Sequence, residues 1–337
     1  MQNFRAKRVL LTGVLIAVNL AAASDGLEES WRHEILKGHA MMQSGRPLDA
    51  ERAYAQALSI AGKSPSTDLR FILALYDLAL AYQGEGRHTE SEQLLEKARR
   101  LSAGTLKQDD SASLAITESI GVQLFYLGRY SEAETLFRDV LSRRERAQGH
   151  EQCDTAKTMN NLGGLYAITG GAAKADRLLR EAASIEEKHC PANDLETAKP
   201  YNNLASLEEN SGKYEQADED YRKALEIVGR SVGERHPEFA LVLANRARCN
   251  LRLRRYEAAE EMCSQSIATI RNSLGDRSPQ LVLPLTIESA ALKKLNRKAE
   301  AKQLLGQAER LAKDDPTARS RQMTIDVRSL TSLSPAR

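Results

Sequence analysis

Small and apolar residues recur along this chain at a spacing of 42 residues. Each amphipathic segment is separated from the next by a turn residue, found at Gly45, Gly86, Gly128, Gly170, Gly212, Arg254 and Asn296. The intervals between successive turn residues are 42 residues, except for a first interval of 41. A pattern that keeps this register through seven copies predicts an array of similar structural units rather than unrelated domains.

Three further columns of residues stay in register with the turns. The side chain is small seven positions before each turn, as at Gly163, and again five positions after it, as at Ala175. Nine positions after the turn it is apolar or bulky, as at Leu179. Because residues three or four apart share a helix face, these columns predict two closely packed antiparallel helices per repeat. We therefore expect an all-α fold, and specifically an α-solenoid, since one helical hairpin cannot bury its apolar face alone.

Two stretches carry the repeat pattern most clearly: NNLGGLYAITGGAAKADRLLREAASI, at Asn160–Ile185, and NNLASLEENSGKYEQADEDYRKALEI, at Asn202–Ile227. The segment GERHPEFA, at Gly233–Ala240, follows as a linker. This pattern resembles tetratricopeptide repeats, in the long form found in kinesin light chains. The resemblance implies a right-handed superhelix of seven helix-turn-helix units over residues 24–313. Repeats six and seven depart from it at the turn, where Arg and Asn replace Gly.

The first 23 residues have a different character. Basic residues precede the apolar run Val9–Leu20, and three alanines ending at Ala23 follow it. This order is typical of a secretory signal peptide, so we expect cleavage after Ala23 and a secreted or periplasmic mature protein. The alternative is an uncleaved signal anchor, although the apolar run is shorter than the roughly 20 residues that span a bilayer.

The other end of the chain, residues 314–337, is polar. Pro316 cannot continue a helix, so the last repeat should end just before it. The remaining segment is rich in Arg, Ser and Thr. It could form a polar capping helix, as solenoid ends require, or a frayed tail.

Charge and motif content exclude several classes of function. The 48 basic residues nearly balance the 46 acidic ones, whereas a protein that wraps nucleic acid usually has a strong basic excess. The sequence contains no Gly-rich phosphate loop, no G-x-S-x-G elbow and no H-E-x-x-H pair. We therefore predict neither enzymatic activity nor a cofactor, and no nucleic-acid partner.

One cluster of reactive residues flanks the fourth repeat. His150 and Cys153 come just before its first helix, and His189 and Cys190 come at the end of its second. Because those two helix ends lie at the same edge of an antiparallel hairpin, all four side chains could meet there. Three hypotheses remain open: a Cys153–Cys190 disulfide, a zinc site, or unpaired surface thiols. Cys249 and Cys263 both fall in helix-packing columns of repeat six, and both are expected to be buried free thiols.

A second stripe on the first helix of each repeat is left free to face the inside of the superhelix. It occupies the positions thirteen, ten, six and three before each turn residue. In repeats four to six these positions hold Lys157, Asn160, Gly164 and Ala167, then Lys199, Asn202, Ser206 and Glu209, and then Leu241, Ala244, Arg248 and Leu251.

The asparagines of this stripe are the strongest binding candidates. A side-chain amide both donates and accepts, so Asn160 and Asn202 could hold a peptide backbone regardless of its side chains. The resemblance to kinesin light chains, which place Asn along the groove, implies the same role for these two residues. Asn161, Asn203 and Asn245 lie one residue further on and are expected to bridge neighbouring repeats.

The cations Lys157, Lys199 and Arg248 would favour an acidic or carboxylate-bearing segment, unless they form a solvated basic stripe. The resulting hypothesis is a non-enzymatic protein-interaction scaffold outside the cytoplasm that binds an extended peptide or protein segment in its groove. The alternatives are a membrane-tethered envelope assembly factor and a metal-dependent enzyme that uses the His/Cys edge.

Overall fold

A computed structural model describes residues 26–63, 68–191 and 195–314. The predicted signal peptide and the polar segment 315–337 lie outside these described residues. Within them the structure consists of helices and has no strand, so the predicted all-α solenoid is confirmed. The helices are α1 Gly26–Gln43, α2 Pro47–Ala61, α3 Leu69–Glu85, α4 His88–Ser102, α5 Ser111–Tyr126, α6 Tyr130–Ala147, α7 Cys153–Ile168, α8 Ala172–His189, α9 Ala198–Asn210, α10 Tyr214–Val232, α11 Pro237–Arg252, α12 Tyr256–Leu274, α13 Val282–Lys294 and α14 Lys298–Asp314.

Consecutive helices pack as hairpins, so that α1 pairs with α2, α3 with α4, and so on to α13 with α14. The first helices of several neighbouring repeats also pack against each other, as α7 does with α9 and α11 with α13. No two second helices pack to this extent in the described part of the chain. The odd-numbered helices therefore form the inner layer of the solenoid, and the even-numbered helices form its outer layer.

Each hairpin turns at a residue in the left-handed backbone conformation. The φ angle is 69° at Gly45 and 77° at Gly212, and it is also positive at the other three turn glycines. Arg254 and Asn296 adopt the same conformation, with φ of 61° and 63°, although side chains disfavour it. The last two repeats therefore keep the turn geometry without the glycine.

The two helices of a hairpin approach each other at the small residue seven positions before the turn. A Cβ atom added to Gly163 would lie 2.8 Å from Cγ of Leu179, and one added to Gly121 would lie 2.7 Å from Cε1 of Phe137. Both distances are shorter than ordinary van der Waals contact. The bulky residue nine positions after the turn thus fills the space left by glycine, as the sequence columns predicted.

No helix in the described ranges is long and apolar enough to cross a membrane.

Candidate peptide-binding surface

The inner surface of repeats four and five is formed by α7 and α9. Lys157, Gly164, Lys199, Asn202 and Ser206 are all half-buried there, so each still reaches solvent. The Lys199 side chain keeps 38% of its area exposed. We call these five residues, together with Asn160, the inner surface.

Paired amides cross from one repeat to the next. Asn203 donates from Nδ2 to Oδ1 of Asn160 at 2.9 Å, and Asn245 donates to Oδ1 of Asn202 at 3.0 Å. Asn161 donates to Oε1 of Glu118 at 3.2 Å. These bonds confirm the predicted bridging role of Asn161, Asn203 and Asn245.

These bridges engage the side-chain oxygens of Asn160 and Asn202, the two candidate binding residues, but not their side-chain nitrogens. Among the described residues, Nδ2 of Asn160 and Nδ2 of Asn202 donate to no acceptor. Asn202 is half-buried, while Asn160 is only 4% exposed. Repeats four and five therefore each offer one oriented N–H donor, and the donor of Asn202 is the more accessible of the two.

One glutamate lies close to the two lysines of this surface. Lys199 Nζ lies 2.6 Å from Oε1 of Glu196, a residue of the short 3₁₀ turn before α9. The charge of Glu196 raises the pKa of Lys157 against the opposing effect of burial. Burial alone would raise the pKa of Glu196, but Lys199 and Lys157 lower it to about 2. The predicted basic stripe is therefore interrupted by a carboxylate, and Lys157, Glu196 and Lys199 together keep one net positive charge.

A buried ion pair lies at the junction of repeats three and four, close to Lys157. Arg144 Nη1 donates to Oε2 of Glu118 at 2.9 Å and to the carbonyl oxygen of Asp154 at 2.7 Å. The side chains of Arg144 and Glu118 are only 2% and 3% exposed. Together with Asn161, this pair fixes the junction on which the inner surface rests.

Two residues that were predicted to line the groove form an ion pair with each other. Arg248 donates from Nε to Oε1 of Glu209 at 3.0 Å and from Nη2 to Oε2 at 3.0 Å. Glu209 also accepts a hydrogen bond from the hydroxyl of Tyr221 at 3.2 Å. The two side chains thus satisfy each other's charge within the protein, and their role in binding a ligand stays a prediction.

Repeat six also departs from the expected stripe. Ala244 and Leu251 are buried, with 0% and 1% of their areas exposed, so they contribute to packing. Of the predicted stripe in this repeat, only Leu241 and Arg248 still reach solvent, and Leu241 packs against the core between repeats six and seven.

An apolar wall continues the inner surface toward repeats two and three. It is formed by the half-buried side chains Leu80, Val122, Phe125 and Ala167. Leu80 and Val122 lie six positions before their turns, and Phe125 and Ala167 lie three before theirs. The sequence reasoning missed the members in repeats two and three because it followed the stripe only through repeats four to six. The same columns, continued backwards, would have found them.

The His/Cys edge of repeat four contains a disulfide. The sulfur atoms of Cys153 and Cys190 are 2.16 Å apart, and their Cα atoms are 5.7 Å apart. His150 contacts Glu145 and Glu181, and His189 lies 3.7 Å from Glu151. No cluster in the described ranges has three or more side chains arranged as metal ligands. The histidines therefore face carboxylates, and the cysteines face each other.

The remaining cysteines are buried in helix interfaces. Cys249 and Cys263 are both 0% exposed and free. Burial raises the pKa of the Cys249 thiol to about 12 and raises that of Cys263 as well. Both thiols should react slowly in the folded protein, since the thiolate is the reactive form.

These features define a helical repeat protein with an inner surface of amides and mixed charges. Residues 110–188 and 196–268 match one tetratricopeptide repeat model, and residues 72–111 match a second. The matches cover more than half of the sequence, so the chain belongs to the tetratricopeptide repeat family. No curated protein matches the chain in sequence.

Solved structures of similar fold include two Rap proteins. The Rap conjugation gene regulator of plasmid pLS20, in complex with the Phr* peptide, is 18% identical with a TM-score of 0.66; the match covers 92% of this chain and 81% of that one. A Rap protein complexed with Competence and Sporulation Factor is 13% identical with a TM-score of 0.61, over 90% of each chain. BtubC from P. vanneervenii is 21% identical with a TM-score of 0.53, over 75% of this chain and 94% of that one. At these identities the likeness shows the shared fold.

Proposed function

We propose that this protein is a non-enzymatic interaction scaffold that binds an extended peptide segment along the inner surface. The observation that carries the proposal is the pair of amides Asn160 and Asn202, one repeat apart. The next repeat holds each amide oxygen, which orients the Nδ2 donor before a ligand arrives. Preorganised donors of this kind bind backbone carbonyls without a large ordering cost.

The surroundings of these amides define the ligand further. Glu196 offsets one of the two positive charges of Lys157 and Lys199, so the surface suits a mixed-charge or uncharged segment as well as an acidic one. The apolar wall would accept bulky apolar side chains of the segment that lies over repeats two and three. Two structures of similar fold are complexes, one with the Phr* peptide and one with Competence and Sporulation Factor. They support a peptide ligand by analogy of fold.

The test is selection of binding peptides from a random displayed library, followed by affinity measurement with variants. Asn160→Ala/Asn202→Ala should weaken binding of a selected peptide by about 10- to 100-fold, because each lost hydrogen bond contributes about 1 kcal/mol or more.

The chain provides a matched control, Asn203→Ala/Asn245→Ala. This variant breaks the same two inter-repeat bonds but keeps the candidate donors. Both variants should lose similar thermal stability, and only the first should lose most of its affinity. The control should lose only the smaller part of the affinity that comes from donor orientation, and equal losses in the two variants would contradict a direct contact between the Asn160 and Asn202 donors and the ligand.

We further propose that the scaffold works outside the cytoplasm. The signal-peptide pattern before Ser24 and the Cys153–Cys190 disulfide both support an oxidising compartment. In the chain-entropy model, the bridge stabilises the fold by about 3–4 kcal/mol.

Protein exported by its own host should begin at Ser24 and, when denatured without reductant, should expose only the thiols of Cys249 and Cys263. N-terminal sequencing and mass-resolved thiol labelling measure both features. An intact N-terminus together with four labelled thiols would contradict export.

A further inference from the structure

The first repeat touches the linker that precedes repeat six, nearly 200 residues away. His236 Nε2 lies 3.3 Å from the carbonyl oxygen of Met42, a separation of 194 residues in sequence. A Cβ atom on the turn residue Gly45 would clash with Cδ of Pro237 and would lie 3.1 Å from Cδ2 of His236. The turn of repeat one is therefore in tight contact with the start of α11.

A second contact of the same kind occurs one repeat further on. Gln280 Nε2 donates to the carbonyl oxygen of Gly84 at 3.1 Å. Gly84 follows Met42 by one 42-residue period, and Gln280 stands one period after Glu238, the second residue of α11. The two carbonyl groups are thus one period apart, and the side chains that reach them come from equivalent linkers but differ by two positions in register. We call the residues Met42, Gly45, Gly84, His236, Pro237 and Gln280 the clasp.

Geometry explains what the clasp does to the inner surface. In a solenoid the hairpin turns form one edge of the ribbon and the inter-repeat linkers form the other. Because turns of repeats one and two meet linkers that precede repeats six and seven, the two edges of successive superhelical turns are joined. The ribbon therefore closes sideways around the inner surface, and the open ways in are at the two ends of the tube.

The hydrogen bonds of His236 require one particular tautomer. Its Nδ1 accepts the backbone N–H of Glu238 and so caps α11 at 3.1 Å. Its Nε2 must then carry the proton donated to Met42. Burial lowers the pKa of His236, which favours this neutral form. The cap and the clasp therefore use opposite sides of the same ring.

We propose that the clasp restricts which ligands reach the inner surface. A free peptide or a chain end can enter, whereas an internal loop of a folded protein is excluded. This inference rests on the proposed binding function for its ligand. A chain end can thread along the tube, whereas a loop that is anchored in a folded domain needs the ribbon to open at its side. Only the open fraction of molecules would accept such a loop.

The chain offers a specific way to open the clasp. Gly45→Asn keeps the left-handed turn, which Asn tolerates and which Asn296 adopts naturally, but places a Cβ atom against Pro237. The matched control is Gly212→Asn, where φ is 77° and nothing lies within 4 Å of the added atom. Spin labels on Ser44→Cys and Glu234→Cys, both exposed positions, report the distance across the clasp.

We expect one narrow distance in the parent and in Gly212→Asn, and a longer, broader distribution in Gly45→Asn. A second opening variant, His236→Asn/Gln280→Glu, keeps an N-cap on α11 but removes both clasp hydrogen bonds. If neither opening variant changes the distance distribution, the contacts do not hold the ribbon closed and the proposal fails.

Access is then measured at Ser206→Cys on the inner surface, with the exposed Ser131→Cys as the reference. The probes are a maleimide at the end of a short flexible chain and the same maleimide attached directly to a folded carrier protein. Relative to Ser131→Cys, the carrier should label Ser206→Cys about 10- to 100-fold more slowly than the chain-end probe, as expected for a minor open state.

Opening the clasp with Gly45→Asn should remove most of that difference, and Gly212→Asn should preserve it. Equal labelling of Ser206→Cys by both probes in the parent would overturn the proposal, as would an unchanged difference after the clasp has opened. Neither measurement uses a peptide ligand. Failure here would therefore be distinct from failure of the proposed binding function.

Discussion

Arg144→Met should destabilise the junction of repeats three and four by about 3–5 kcal/mol, because it leaves the carboxylate of Glu118 buried with its charge uncompensated. Asn161 would remain as a partner of that carboxylate, but an amide brings no charge. Chemical denaturation measures the loss of stability, and hydrogen exchange in α5–α7 shows whether that loss is located at this junction. Local exchange is needed because repeat arrays do not always unfold in one step.

The double variant Arg144→Met/Glu118→Leu provides the control for this interpretation. Replacing both charges with apolar groups of similar size is often neutral or stabilising. The double variant should therefore be more stable than Arg144→Met alone. If the double variant instead loses as much stability as Arg144→Met and Glu118→Leu lose separately, the two charges are not coupled and the packing of Arg144 explains the effect.

Gly163→Leu should cost several kcal/mol and should act locally. The substitution improves intrinsic helix propensity by about 1 kcal/mol, but it forces atoms into the space filled by Leu179, and overpacking typically costs about 1–3 kcal/mol or more. Because each repeat contacts mainly its neighbours, hydrogen exchange should rise in repeats three to five and remain unchanged near the ends.

The adjacent Gly164 serves as the control. A Cβ atom there would meet only the side chain of Asn203, with Nδ2 at 3.3 Å, so Gly164→Ala should be tolerated. Uniform exchange along the whole chain in Gly163→Leu would contradict the picture of nearest-neighbour stability.

The helices and their turns were predictable because they depend on local periodicity. The spacing of small residues such as Gly121 and Gly163 identified the hairpins, and the structure places a bulky partner opposite each of them. The bridging asparagines were predictable for the same reason, since residues one period apart occupy equivalent places in neighbouring repeats.

The charge state of the inner surface was not predictable from the stripe alone. Glu196 lies in a 3₁₀ turn three residues before Lys199, outside the columns that define the stripe. Likewise, the bidentate pair of Glu209 with Arg248 depends on the exact offset between repeats five and six. Side-chain pairing between repeats requires three-dimensional placement that a one-dimensional column does not contain.

The clasp was also beyond sequence reasoning. The contact of Met42 with His236 depends on the small rotation between successive repeats, summed over five of them. His236 and Pro237 were understood only as a linker turn, and that local role is correct because His236 caps α11. Their second role appears only when the superhelix has completed a turn.

The central claim is that an extended peptide lies along the inner surface of repeats four and five. Photo-crosslinking tests it most directly, with a photoreactive amino acid at position 206 on α9 or at position 131 on the outside of α6 and a peptide selected from the displayed library. The peptide should crosslink to position 206 and not to position 131, and excess unlabelled peptide should abolish the product. A peptide that binds with full affinity but crosslinks at position 131, or at neither position, would place the ligand elsewhere and contradict the claim.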